Sequence, residues 1–154
     1  MTDTNSSAEL TLVPINESNW RKVVRVRVKS TQTDFVAETS YYLLLCHYRE
    51  LWQPLAISVG DQVIGFIMWA IDHNDGSCWL GGFHIDAEWQ GKGFGKKTIK
   101  AIIENITNQY KINNFALSVQ PQNPACSLYE ALGFMKTDEW EDDEIVMRYS
   151  VLQF

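Results

Sequence analysis

The sequence predicts one α/β (mixed α+β) domain, with a mostly antiparallel sheet of six or seven strands and helices on both faces. Two patterns carry that reading. PLAISVG (54–60) and QVIGFIMWAI (62–71) flank Gly60-Asp61, a tight-turn signal between β-forming runs. FGKKTIKAIIENITNQY (94–110) then follows a glycine-rich turn and places Ile99, Ile102, Ile103 and Ile106 on one helical stripe. The length, 154 residues with 45% hydrophobic content, suits one core burying about 70% of the unfolded chain's surface.

Taken in order, residues 1–8 read as a flexible tail, and 9–154 as a single domain. ELTLVPI (9–15) alternates and is the first strand. Residues 20–29 fit both periods, because VVRVRVK alternates while Trp20, Val23, Val24, Arg27 and Val28 share a helical face; the helix is preferred. FVAETSYYLLLCHYRELW (35–52) is apolar around most of its circumference and free of Gly and Pro, which predicts a mostly buried helix with Leu43–Leu45 in the core. After the 54–71 hairpin, CWLGGFHID (78–86) is a strand interrupted at Gly81-Gly82, where a bulge is expected. FALSVQ (115–120) is a short strand. In NPACSLYEALGF (123–134), Asn123 is the cap, Pro124 the first helical residue and Gly133 the stop. FMKTDEW and EIVMRYSVL close the chain as two strands around an acidic turn.

Composition excludes several classes. A formal charge of -6 with no long basic stretch argues against nucleic-acid binding. No apolar run reaches the ~20 residues that span a bilayer, and the polar start MTDTNSSAEL lacks a signal-peptide core. Cys46, Cys78 and Cys126 are scattered, form no C-x-x-C pair or His/Cys cluster, and predict neither a metal site nor disulfides. A cytoplasmic protein with buried, reduced thiols is the expectation.

The chemistry starts at W-Q-G-K-G-F-G-K-K-T (89–98). A phosphate-binding P-loop beginning at Gly91 needs glycine at 96, where Lys96 stands. The dinucleotide fingerprint G-x-G-x-x-G fails there too, since Gly95 comes one position early. The remaining pattern is Q-x-x-G-x-G, from Gln90 to Gly95, joining a strand to a helix start. Bare glycine backbone and unpaired first-turn amides favour an anion there, with Lys92 and Lys96 at the rim. A plain strand-to-helix connection is the alternative for this segment alone.

W-L-G-G-F-H-I-D-A-E-W-Q-G-K-G-F-G-K-K (79–97), with N-P-A-C-S-L-Y-E-A-L-G-F further on, resembles the Gcn5-related N-acetyltransferase family. The resemblance covers residues 78–134, and the element order fits it across nearly the whole chain. A narrower likeness, to bacterial spermine/spermidine acetyltransferases, is carried by Q-T-D-F-V-A (32–37), G-F-I-M-W (65–69) and W-L-x-x-F-x-I-D-x-x-x-Q-G-K-G-x-G-K. The resemblance implies the family's fold, acetyl-CoA as cosubstrate and a splayed strand whose backbone pairs with the pantetheine arm. Carried over, the coenzyme contacts are Phe83, His84, Ile85, Gln90, Gly91, Lys92, Gly93, Phe94, Gly95, Lys96, Asn123 and Tyr129.

The resemblance also makes Tyr129 the general acid for the departing thiolate, a role a phenol of pKa about 10 can fill unionised at neutral pH. A backbone N–H near Phe83–Ile85 would polarise the carbonyl. The base is the gap. Many polyamine-acetylating relatives carry an acid in W/Y-L-[DE]-x-F, and here that position is Gly81. His84 is the substitute on the same strand, on the opposite face from Phe83 and Ile85; the plainer reading of a single strand histidine is a packed residue. Phe35 and Glu38, beside F-V-A, are candidate acceptor contacts, although a glutamate at a helix start is also favoured by the dipole alone. The six carboxylates of D-E-W-E-D-D-E (138–144) could attract a polyamine or simply solubilise a turn.

The resulting expectation is an N-acetyltransferase acting on a small cationic amine, polyamine-like, by direct attack in a ternary complex. Other amines (an aminoglycoside, a protein N-terminus), a non-catalytic acyl-CoA sensor and a domain that binds nothing remain the alternatives. Coenzyme A and a small amine are the expected partners, with no nucleic acid, membrane or metal; a homodimer is left open.

Overall fold

The computed structural model describes residues 9–151. The 1–8 tail therefore lies outside the described residues, as does the end of the domain beyond 151. Seven strands form one sheet in the order β1-β2-β3-β4-β5-β7-β6. They are β1 (Leu10–Pro14), β2 (Gln53–Val59), β3 (Gln62–Ile71), β4 (Cys78–Ile85), β5 (Asn114–Val119), β6 (Met135–Glu141) and β7 (Glu144–Ser150). Only the β4–β5 pair is parallel. Four helices cover the sheet: α1 (Trp20–Val24), α2 (Thr39–Tyr48), α3 (Phe94–Tyr110) and α4 (Ala125–Ala131). No helix among the described residues is long and apolar enough to cross a membrane.

Two hydrophobic layers sandwich the sheet. On one face, Ile99, Ile102 and Ile106 of α3 and Cys126 and Tyr129 of α4 pack on Ile57, Ile67, Leu80, Phe115 and Met147. On the other, Val23 of α1 and Cys46 of α2 meet Ala56, Phe66 and Met68. The isoleucine stripe thus does what its spacing dictates, and α3 has the predicted bounds. All three cysteines are free and buried.

Two helix expectations are corrected. The 20–29 helix stops at Val24. Beyond it the chain is held by long-range bonds: the Arg27 amide donates to Asp86 Oδ2 at 3.1 Å, and the Arg27 carbonyl accepts from Ala87 N at 2.7 Å. Those bonds need an extended backbone, so tertiary context overrides the weak local preference. The helix expected over 35–52 is shorter and less buried. Thr39 and Cys46 alone are buried along α2, while Tyr41, Leu44, Tyr48 and Leu51 are exposed. Leu44 is therefore not core, because α2 meets the sheet on one side only.

The last helix starts one residue later than expected: Pro124 is its cap residue, though Asn123 Oδ1 still accepts from Ala125 N at 2.9 Å. Gly133 ends the segment with φ +104°.

The Gly81-Gly82 bulge is present, and the β3–β4 register shifts between Phe66 and Met68. The extra residue changes the phase of β4. Cys78 and Leu80 before it, and Phe83 and Ile85 after it, serve one core, while His84 points to the other face. Gly82 has φ +59°, and a Cβ there would sit 3.1 Å from the Tyr42 ring and 3.2 Å from Phe66. Gly82→Ala is expected to cost about 1–3 kcal/mol. Gly76→Ala, at φ +77° with open space around it, should cost only the backbone part, near ~1 kcal/mol. Urea denaturation of both variants checks this; equal losses would remove the crowding contribution.

Candidate active site

The site is built where β4 leaves β5. These strands pair only through Cys78↔Phe115 and Trp79↔Ala116, then diverge. The bulge causes the divergence, and His84 pins it. His84 Nδ1 lies 2.8 Å from the Gly82 carbonyl and Nε2 lies 2.8 Å from Thr39 Oγ1. A carbonyl only accepts, so Nδ1 carries hydrogen. Burial pushes the imidazole below its ordinary pKa, so the ring is neutral, and the single Thr39 hydroxyl proton goes to Nε2 at 2.8 Å in preference to the Val26 carbonyl at 3.2 Å. Both ring nitrogens are thereby used, and the ring is 6% exposed between Tyr42 and Phe66. The geometry leaves His84 no lone pair for an incoming amine: its part is to hold the bulge, and the base role is not supported.

On the helical side of the split, the glycine turn opens a cleft of about 430 Å³. Phe83, His84, Ile85, Gln90, Gly91, Gly93, Phe94, Gly95, Asn123 and Tyr129 all line it, as does Phe35. Gly91 (φ +75°) and Gly93 (φ +85°) have nothing within 4 Å of a built Cβ. Their glycines serve backbone conformation and leave the space above the turn empty of protein. Gly95 serves close packing, since a Cβ there would meet Leu128 at 3.3 Å. Gly93 is the N-cap of α3, so the amides of Phe94, Gly95 and Lys96 have no partner within the helix. This donor set fits a pyrophosphate. Lys92 lies 5.3 Å over the Trp89 ring and, like Lys96, is exposed outside the cleft lining.

Gln90 works differently from expectation. Its amide exchanges two hydrogen bonds with Gln32, at 2.8 and 2.9 Å, and donates to the Ile85 carbonyl at 2.9 Å. The side chain ties the turn to β4 and to Gln32, and the residue also lines the cleft.

On the strand side lies a second cavity of about 300 Å³, walled by Phe35, Tyr42, Trp52, Trp79, Ser118 and two carboxylates, Glu141 and Glu144. Tyr129 and Asn123 line both spaces. Tyr129 is 7% exposed, and no hydrogen bond from its hydroxyl is found among the described residues. Burial raises its pKa far above the ordinary phenol value, with Cys126 and Glu144 adding to the effect. It stays protonated throughout the neutral range. Glu38 is the N-cap of α2 and lines a separate recess with Val26 and Thr39, so the fold does not bring it to this cavity.

Sequence reasoning missed Tyr42, Trp52, Trp79 and Ser118, and it did not single Glu144 out of the 138–144 run. It read Gly81 as a bulge position and as a lost acid, without the packing around it. In the fold, a Cβ at 81 would lie 3.2 Å from the Trp52 ring and 3.1 Å from the Met68 methyl. The space a carboxylate would need is filled by indole. No cluster of metal-ligating side chains occurs among the described residues.

These features define an acyl-transfer fold, and the comparisons agree. The family model described as Acetyltransferase (GNAT) family matches residues 20–134. The chain belongs to that family, and it is an N-acetyltransferase with acetyl-CoA as cosubstrate. Spermine/spermidine N(1)-acetyltransferase of Bacillus subtilis (strain 168) is 30% identical over 135 residues, covering 81% of this chain and 87% of that protein. Two solved structures share the fold. Spermidine N-acetyltransferase from Vibrio cholerae, in complex with CoA and spermine, has TM-score 0.71 and 19% identity, covering 90% of this chain and 92% of its own. Aminoglycoside acetyltransferase AAC(6')-Ib, with coenzyme A and kanamycin, has TM-score 0.76 and 18% identity, covering 92% and 95%.

Neutral, buried His84 has a pH consequence. Its folded pKa lies below the unfolded value of 6.5, so below about pH 6.5 the unfolded chain binds more protons and stability rises with pH through that window. His84→Gln is expected to flatten this part of the urea-midpoint profile between about pH 5 and 7. An unchanged slope would place its source elsewhere.

Proposed function

We propose that this N-acetyltransferase acetylates a primary amine of a polyamine in a ternary complex, with Tyr129 as general acid. One observation carries the reading: the largely buried Tyr129 side chain lines both the glycine-turn cleft and a cavity walled by aromatic rings and carboxylates. The first space suits a pyrophosphate and its arm, and the second suits a chain of methylenes carrying positive charge. The 30% identical spermine/spermidine N(1)-acetyltransferase of Bacillus subtilis supports the acceptor class.

Gly91, Gly93, Phe94, Gly95 and the Lys96 amide would hold the pyrophosphate, with Lys92 and Lys96 adding charge at the rim. Phe83, His84 and Ile85 would offer backbone groups to the arm, because β4 has no β5 partner beyond Trp79. Asn123 would contribute its side-chain amide from the junction. When bound, acetyl-CoA supplies an acetyl thioester to be attacked by the neutral amine. A β4 amide in the Phe83–Ile85 stretch would donate to the carbonyl oxygen as charge builds there. Tyr129 gives its proton to the departing sulfur, and the proton shed by the acylated nitrogen makes good that loss through solvent. Phe35, at the seam of both spaces, helps exclude water from the reacting atoms.

The reading is tested with acetyl-CoA, a panel of spermidine, spermine, kanamycin and a peptide N-terminus, and detection of released thiol. Spermidine or spermine should give the highest kcat/KM, rising from about pH 6 to 9 as neutral amine accumulates. Best turnover of kanamycin or the peptide would reject the polyamine, and coenzyme binding without turnover would indicate a sensor.

Tyr129→Phe should lower kcat by about 10²–10⁴, the usual worth of a general acid, with little change in acetyl-CoA affinity. An unchanged kcat would remove the acid assignment. Coenzyme A should raise the melting temperature of both proteins, because a ligand of the native state adds to its stability.

A further inference from the structure

The acceptor cavity contains a carboxylate arrangement that the fold leaves electrostatically unfinished. Glu144 is the first residue of β7, and β7 lies between β5 and β6. That order sets Glu144 beside Ser118 of β5, whose hydroxyl donates to Glu144 Oε1 at 2.9 Å. Across the β6–β7 hairpin, Glu144 pairs directly with Glu141, and both line the cavity. Like charges opposite one another destabilise a sheet.

Among the described residues the ion pairs are Arg21–Glu17, Lys136–Glu130, Arg148–Asp75 and Arg148–Glu139, so none of the described cations pairs with either glutamate. Glu144 is half-buried, and burial together with Asp143, Glu141 and Asp142 raises its pKa. An ammonium beside it would relieve both the desolvation and the repulsion. The Tyr129 side chain, 7% exposed and with no hydrogen bond from its hydroxyl among the described residues, lines the same cavity and independently marks it as a place for a ligand. At Gly81, meanwhile, Trp52 blocks the space where an acidic side chain would stand.

We infer that Glu144, oriented by Ser118 and seconded by Glu141, is the carboxylate that binds the acceptor's ammonium in this cavity, from the strand wall opposite Gly81. The inference rests on the polyamine-acetyltransferase reading and adds to it the group that recognises the amine. Glu144 is thus a substrate-binding residue, and its charge is the operative feature. The bond to Ser118 needs only an oxygen acceptor, which a glutamine also offers.

That difference sets the experiment. Steady-state kinetics of wild type, Glu144→Gln, Glu144→Asp and Ser118→Ala are compared with spermidine as varied amine at saturating acetyl-CoA, then with acetyl-CoA varied. Glu144→Gln should raise the spermidine KM about tenfold or more, the size of one lost charge-assisted contact. Its acetyl-CoA KM should be unchanged, which also shows that the variant is folded. Glu144→Asp should recover part of the loss, and Ser118→Ala, which keeps the charge, should fall between wild type and Glu144→Gln. An unchanged spermidine KM in Glu144→Gln overturns the inference while leaving polyamine turnover standing, as does a Ser118→Ala loss matching that of Glu144→Gln. If another amine of the panel is the better substrate, the polyamine reading fails on its own. The same Glu144→Gln comparison with that amine then decides the anchor: a raised KM supports it and an unchanged KM overturns it.

Discussion

The bulge at Gly81-Gly82 is the constraint on which the rest of the structure depends. One extra residue in β4 breaks its register with β3, swings its second half away from β5 and reverses which residues face each core. It also brings unpaired backbone to the middle of a sheet, where exposed edges are normally avoided. A buried hydrogen-bond chain, Thr39 to His84 to the Gly82 carbonyl, holds that open geometry. Such a chain is stable because every ring valence is met, and it would be costly if one were lost.

Around the split the two faces of the sheet take different tasks. The α3 and α4 side supplies backbone donors and a packed floor. Gly95 lets Leu128 approach, and Gln90 fastens the turn to Ile85 and Gln32. The opposite side supplies rings and charge: Tyr42 and Trp52 pack over the bulge glycines, and the β6–β7 hairpin brings its glutamates to the cavity wall. Tyr129 belongs to α4 yet lines both spaces, as do Asn123, Phe35 and Phe83. Trp52 occupies the space beside Gly81, and half-buried Glu144 lines the same cavity.

How much of this was legible depended on how local each cause was. The α3 bounds, the Gly60-Asp61 hairpin, the bulge and the glycine turn follow from spacing within about twenty residues, and the fold reproduces them. The 25–29 segment was not legible, because its shape answers to Asp86 and Ala87, about sixty positions away. α2 misled for a related reason: hydrophobicity reports what a helix could bury, whereas the sheet beneath it decides how much it does. Leu44 and Tyr48 stay in solvent. His84 was correctly assigned to a face, yet its hydrogen-bond partners lie on α2 and in the bulge, and they, not its intrinsic pKa, decide what it can do.

By itself the sequence determined the class of fold and an anion-binding turn, since Q-x-x-G-x-G before an amphipathic helix is a local device whose backbone needs are written in its glycines. Its resemblance over residues 78–134 implied the family and the cosubstrate. The resemblance also marked Tyr129 and Asn123, the latter already legible as a helix cap. Only the tertiary structure decided which carboxylates line the second cavity. Within D-E-W-E-D-D-E nothing separates Glu144 from its neighbours. The sheet order separates them, inserting β7 beside β5 so that one glutamate of the run turns to Ser118 and the cavity while Asp142 and Asp143 remain in water. Strand order is a long-range property, set by which faces can be buried together, and no window of the chain carries it.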